Sequence, residues 1–289
     1  MLLLFTKILV TFLTVVMLAV VARRYGPAWA GVLAGFPLGS AITLYFMGFE
    51  LGSDFAAEGA TYTLIGLTGS LALATSYLYA SRRWHRPRHV LIPATIALGA
   101  FLATVTPLQY WNANWWQNAL IILALIAIAS RLLRSVPDAK VALNSDNLWQ
   151  RPAPAILFRA VMATISVLGI TAIAHWLSPS QAGLLAAFPV SFFPTLIVLQ
   201  LSYGAPVVAA TVKQYPAGLV SMVIYVASVT QIYPILGLQL GTAAALLIAT
   251  LYLLGYALVK FRLKRAPSSA MNSGSINPVS YTHLRAHET

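Results

Sequence analysis

Two basic side chains and two Phe-Pro pairs are the residues of this sequence whose types and spacing could act on a solute, and they come as matched sets. Lys7 and Arg159 lie 152 positions apart, as do Phe36-Pro37 and Phe188-Pro189, Thr43 and Thr195, and Gly31 and Gly183. A proline inside an apolar helix removes a backbone N–H and clashes with the preceding turn. The carbonyls freed, near Leu33 and Leu185, need partners because lipid offers none. In broken membrane helices such ends can aim partial charges at a substrate or an ion. The candidate binding or hinge set is therefore Gly31, Gly35, Phe36, Pro37, Ser40, Thr43, Gly183, Phe188, Pro189, Ser191 and Thr195. Plain proline kinks remain an alternative, and hydroxyls also back-bond within membrane helices. Gly31, Ala34 and Gly35, with Gly183, Ala186 and Ala187, are small residues that let a neighbouring helix approach closely, which packing alone could require.

Lys7 and Arg159 fall near the starts of equivalent apolar segments. Long basic side chains there ordinarily snorkel to the interface. Their matched positions also allow contact with an anionic ligand. No Asp or Glu falls in the middle of an apolar segment: Glu50 ends one, and Asp54 and Glu58 lie beyond it. The buried carboxylate of many ion-coupled carriers is thus not expected. There is no His/Asp/Glu set at ligand spacing, no phosphate loop and no Ser-centred elbow, so no catalytic residue, metal or cofactor is assigned. The chain has no cysteine, which excludes disulfides and thiolate chemistry.

The elements that must position these residues are membrane spans. Hydrophobic residues make up 59% of the chain and charged residues 8%, far from the balance of a soluble domain. Apolar runs suited to helices of about 20 residues recur throughout. Nine spans are expected, at about 2–22, 27–49, 60–80, 89–108, 117–135, 155–176, 181–203, 214–232 and 235–259. The formal charge of +12 does not imply nucleic acid, because the basic residues sit in short clusters between spans. Arg23-Arg24, Arg82 to Arg88, Arg131 to Arg151, Lys213 and Lys260 to Arg265 all fall on one side if the N-terminus is outside and the C-terminus cytoplasmic. The opposite side carries Glu50, Asp54, Glu58, the Trp111, Trp115 and Trp116 cluster, expected as an interfacial anchor, and His175. Leu2 to Ala22 lacks a basic n-region and a small-residue cleavage site, so it is expected to be a retained helix.

The 152-residue offset extends over whole segments. Pro27 to Pro37 (PAWAGVLAGFP) aligns without gaps on Pro179 to Pro189 (PSQAGLLAAFP), and Gly52 meets Gly204 and Gly66 meets Gly218. Matching helices are five steps apart in the order of spans, an odd step, so the copies should run through the membrane in opposite directions. Residues 1–153 form the first repeat with five spans and 154–265 the second with four. Residues 266–278 form a polar tail, and 279–289 (VSYTHLRAHET) look like a translated sequencing adapter rather than evolved protein.

Gly26, Pro27, Gly31, Leu33, Ala34, Gly35 and Pro37 fit an early Gly-Pro-x-x-x-Gly-x-Leu-Ala-Gly-x-Pro signature, with Ala30 where glycine is usual. Ala182, Gly183, Leu184, Leu185, Ala186, Phe188 and Pro189 fit a late Ala-Gly-Leu-Leu-Ala-x-Phe-Pro signature. Together they resemble a group of bacterial polytopic membrane proteins of similar length, and each half resembles the small GlpM-type membrane proteins. The resemblance implies a bacterial inner-membrane location and a duplication, and supplies no activity. Together these readings lead to the expectation of an all-α polytopic bundle: a permease for a small solute, its partners the lipid bilayer and that solute. A membrane scaffold or accessory subunit is the alternative. A lipid-modifying enzyme would need Glu50, Asp54, Glu58 and His175 to converge.

Overall fold

With no water in the hydrocarbon to satisfy backbone groups, runs this apolar have to close their own hydrogen bonds as helices. The computed structural model describes residues 1–25, 33, 36–139 and 147–265, and helices account for nearly all of them. Gly31, Gly35, the polar tail and the segment 279–289 lie outside the described residues. The helices are α1 (Leu2–Tyr25), α2 (Leu38–Leu51), α3 (Ser53–Arg83), α4 (Leu91–Leu108), α5 (Trp115–Leu132), α6 (Pro152–Ala174), α7 (Pro179–Ala186), α8 (Phe192–Tyr203) and α9 (Ala205–Arg265). Gly237, at φ 69°, breaks α9 into two arms. Among the described residues there is no strand, and six helices are long and apolar enough to cross a membrane. Leu38–Leu51 and Phe192–Tyr203 are shorter apolar helices beside them. This architecture fits a multi-pass membrane protein.

The third helix begins earlier than the apolar run at 60–80 suggests. It starts at Ser53, so Asp54 and Glu58 lie in its first turns, both exposed, rather than in a loop. Its 31 residues span about 46 Å at 1.5 Å per residue, more than a hydrocarbon core needs. Helix geometry thus continues past the apolar stretch. The same holds for α9, which starts at Ala205 rather than near 214.

Both early starts depend on a single glycine. Gly52 (φ 103°) and Gly204 (φ 79°) each join two helices without a loop, in a backbone region that L side chains rarely enter. Gly52 N–H bonds Gly48 O at 3.1 Å and Gly204 N–H bonds Gln200 O at 3.0 Å, closing one helix as the next opens.

At the centre stands α3, buried along most of its length and packed by α2, α4, α5 and α7. α1 packs on α6 and turns Leu4, Phe5, Leu13 and Met17 outwards, as a lipid-facing helix would. By compactness the chain divides into Met1–Leu253 and Leu254–Thr289. Contacts of α1 with α6 and of α3 with α7 join residues on either side of 153/154.

Candidate functional site

The second Phe-Pro pair separates α7 from α8. Ser178 and Gln181 form a capping box that starts α7, with Pro179 at its first position, where a missing N–H costs nothing. At the other end, Phe188 N–H turns back to Leu185 O at 2.9 Å, and Val190 N–H to Phe188 O at 2.8 Å. α8 then begins with Phe193 N–H to Pro189 O at 2.9 Å.

The first pair makes the same bonds. Phe36 N–H meets Leu33 O at 3.1 Å, Leu38 N–H meets Phe36 O at 2.9 Å, and Ala41 N–H meets Pro37 O at 2.7 Å. Thr43 donates to Gly39 O at 3.0 Å and Thr195 to Ser191 O at 2.7 Å. Each of these bonds has its counterpart 152 residues along, and so have those around Gly52 and Gly204. The freed Leu33 and Leu185 carbonyls are taken up by the tight turn itself.

Around the second break, hydroxyls from the first half of the chain cap the remaining carbonyls. Ser40 donates to Ala186 O at 2.9 Å, Thr63 to Gly183 O at 2.8 Å, and Ser70 to Ala187 O. Gly183 faces the Gly59 backbone so closely that an added Cβ would stand 1.9 Å from Gly59 O. The Phe188 ring meets Phe101 and Phe193 edge-on at 5.3 and 5.7 Å, and Pro189, Val190 and Ser191 are buried. Thr43 and Thr195 spend their hydroxyls within their own helices, and Ser40 spends its hydroxyl on α7. Ser40→Ala removes the donor from a buried carbonyl, and a loss of about 1 kcal/mol is expected in a detergent unfolding titration. Ser166→Ala, on a half-buried helical hydroxyl bonded only to Met162 O, is the control, with little loss expected.

Lys7 does not snorkel. Its Nζ is turned into the bundle, 2.6 Å from Glu50 Oε1, and donates to Thr171 Oγ1 at 3.0 Å. The Phe46 ring centroid lies 5.6 Å from it. The other Glu50 oxygen, Oε2, is 3.2 Å from His175 Nε2. Lys7 and Glu50 side chains are 7% and 11% exposed, whereas His175 is 45% exposed. A buried ion pair thus has an imidazole opening onto the surface. Desolvating two charges costs several kcal/mol each, and only close pairing with added hydrogen bonds offsets it.

Glu50 and His175, two of the four residues named as a set that might converge, do meet, and what the sequence reading missed is Thr171 and the link to Lys7. The signal was available in part: Glu50, His175 and the Lys7 end of the chain were all expected on one side of the membrane. Gly52, two residues beyond Glu50, leaves no loop in which that carboxylate could reach water freely. Glu50 does end its helix, as expected, but its carboxylate is nearly enclosed rather than free at the surface. Arg159, the positional partner of Lys7, is half-buried on α6, and Ser202 stands where the offset would require a second Glu50. Ser202 instead donates to Trp149 O at 2.7 Å. Asp54 and Glu58 do not join Glu50 and His175, and among the described residues no three His, Asp or Glu side chains could hold a metal. At the aromatic segment, Trp111, Trp116, Asn112 and Gln117 line an open recess of about 490 Å³.

No family model, curated protein or solved structure matches this chain.

Proposed function

We propose that this chain is a permease of the bacterial inner membrane, moving a small solute by alternating access between two inverted repeats. The observation that carries this reading is the recurrence, 152 residues apart, of one set of backbone bonds around the Phe-Pro breaks and the Gly52 and Gly204 turns. In this reading the chain has nine spans: α1, the segment ending in α2, α3, α4, α5, α6, α7 with α8, and the two arms of α9. Its N-terminus is outside and its C-terminus cytoplasmic. Matching spans then run in opposite directions, the arrangement that places transporter sites at the repeat interface. Phe36, Pro37, Ser40, Phe188, Pro189 and Ser191 border the pathway. Motion of one repeat against the other opens it to each side in turn. The closed packing at Pro189 then corresponds to an occluded conformation.

That same closed packing favours a second reading, a membrane scaffold in which Gly59 and Gly183 only join helices. Because the chain lacks cysteine, single cysteines at Leu38 and Val190 separate the two. Right-side-out and inverted vesicles would be treated with a membrane-impermeant thiol reagent. The permease reading expects labelling at both sites from both faces. Folded protein that reacts at neither site would move the scaffold ahead.

A further inference from the structure

The ion pair at the chain-start end of the bundle ties three helices, α1 through Lys7, α2 through Glu50 and α6 through Thr171, with His175 at the end of α6. Within it the carboxylate of Glu50 is held as a bound carboxylate ligand would be held. One oxygen faces an ammonium and the other an imidazole nitrogen, with a hydroxyl and an aromatic ring beside the ammonium. We infer that this is a proton-linked binding site for a small monocarboxylate, with Glu50 as its resident occupant and Lys7 as the group that receives the ligand. The inference rests on the permease reading, for which it names the substrate class and the coupling ion.

Charge balance governs what this site can hold. Lys7 and Glu50 are both nearly enclosed, so together they present no net charge to a region of low dielectric. An incoming anion at Lys7 would leave two carboxylates facing one ammonium, and an unpaired buried charge is strongly disfavoured. Protonation of Glu50 removes that obstacle. One proton adds to the Glu50 carboxylate, the neutral acid donates to His175 Nε2, and the Lys7 ammonium, still donating to Thr171 Oγ1, receives the ligand carboxylate. The Lys7–Glu50 ion pair gives way to a Lys7–ligand pair, His175 gains a proton at Nδ1 as its Nε2 proton passes to Glu50, and the site is neutral before and after. The ligand therefore enters with a proton, and on release both leave.

His175 is the route for that proton, since it touches Glu50 and is nearly half exposed. The groups facing Glu50 are Lys7 from α1 and His175 from the end of α6. α2 itself carries no other charge and α7 none, while Asp54 and Glu58 on α3 are exposed and form no ion pair among the described residues. The linkage sign follows: binding takes up a proton, so affinity rises as pH falls.

The test is calorimetric titration of acetate into the detergent-purified full chain, in two buffers of different ionisation enthalpy. The wild type is expected to take up one proton per acetate bound. Glu50→Gln mimics the protonated acid, and should bind acetate at least about tenfold more tightly at neutral pH with no proton uptake. K7Q/E50Q should lose that gain. Equal acetate affinity in wild type and E50Q, or wild-type binding without proton uptake, would overturn the inference. Proton uptake persisting in E50Q would place the proton on His175 and overturn the role of Glu50. Should E50Q fail to fold, the wild-type proton count still decides. Failure here with cysteines at 38 and 190 reactive from both sides leaves the permease standing. Success here with both cysteines silent leaves a carboxylate receptor that does not transport.

Discussion

Gly183→Ala is expected to lower the thermal unfolding temperature of the purified protein markedly, whereas Gly99→Ala and Gly169→Ala leave it unchanged or raise it slightly. The added methyl at 183 would point into the carbonyl of Gly59, a backbone atom that no rotamer change can move away. α3 and α7 would have to separate along their crossing. That separation would stretch the Thr63 bond to Gly183 O and the Ser70 bond to Ala187 O. Overpacking of this kind costs about 1–3 kcal/mol or more, and two stretched hydrogen bonds add to it. Nothing stands within 4 Å of a Cβ built on Gly99 or Gly169, and in a helix alanine loses less backbone entropy than glycine. Gly183→Leu should prevent accumulation of folded protein altogether. If G183A melts with the wild type, the close α3–α7 crossing is wrong, and so is the packed state of the second Phe-Pro break.

How much of this was legible in the sequence differs from feature to feature. Apolar runs revealed the helices because membrane burial imposes one requirement on every residue of a span. The breaks at Pro37 and Pro189 were legible because proline acts on its own backbone, wherever its neighbours lie. Helix ends were less legible. Ser53 and Ala205 begin helices because a glycine at positive φ precedes each, and hydropathy carries no trace of φ. Least legible were the partners. Gly183 could be marked as small, but that it meets Gly59 depends on how α3 and α7 cross. Thr63 and Ser70 look like ordinary helical hydroxyls until α7 ends against them. Lys7 looked like an interfacial lysine because nothing in its own helix hints at a carboxylate 43 positions away in the chain. The one available hint lay in topology, which put Glu50 and His175 at the same end of the bundle.

The second large effect concerns that lysine. Lys7→Met is expected to destabilise the protein by about 3–5 kcal/mol, the usual cost of removing one partner from an enclosed ion pair. Glu50 would be left without its ammonium, facing His175 alone. K7M/E50M removes both charges and fills the space with side chains of similar volume. It should recover most of the loss, because exchanging a buried pair for apolar packing is often close to neutral. Chemical unfolding of the two single variants and the double variant gives the coupling energy directly. A strong coupling, with the double variant as stable as wild type, means the pair is not needed to hold the bundle together. Its presence at an enclosed site then calls for a use other than stability, and proton-linked carboxylate binding is such a use. K7M/E50M should accordingly fold, insert and fail to bind acetate. Additive losses in the cycle would instead mean that Lys7 and Glu50 do not touch, and the site built on them would have no foundation.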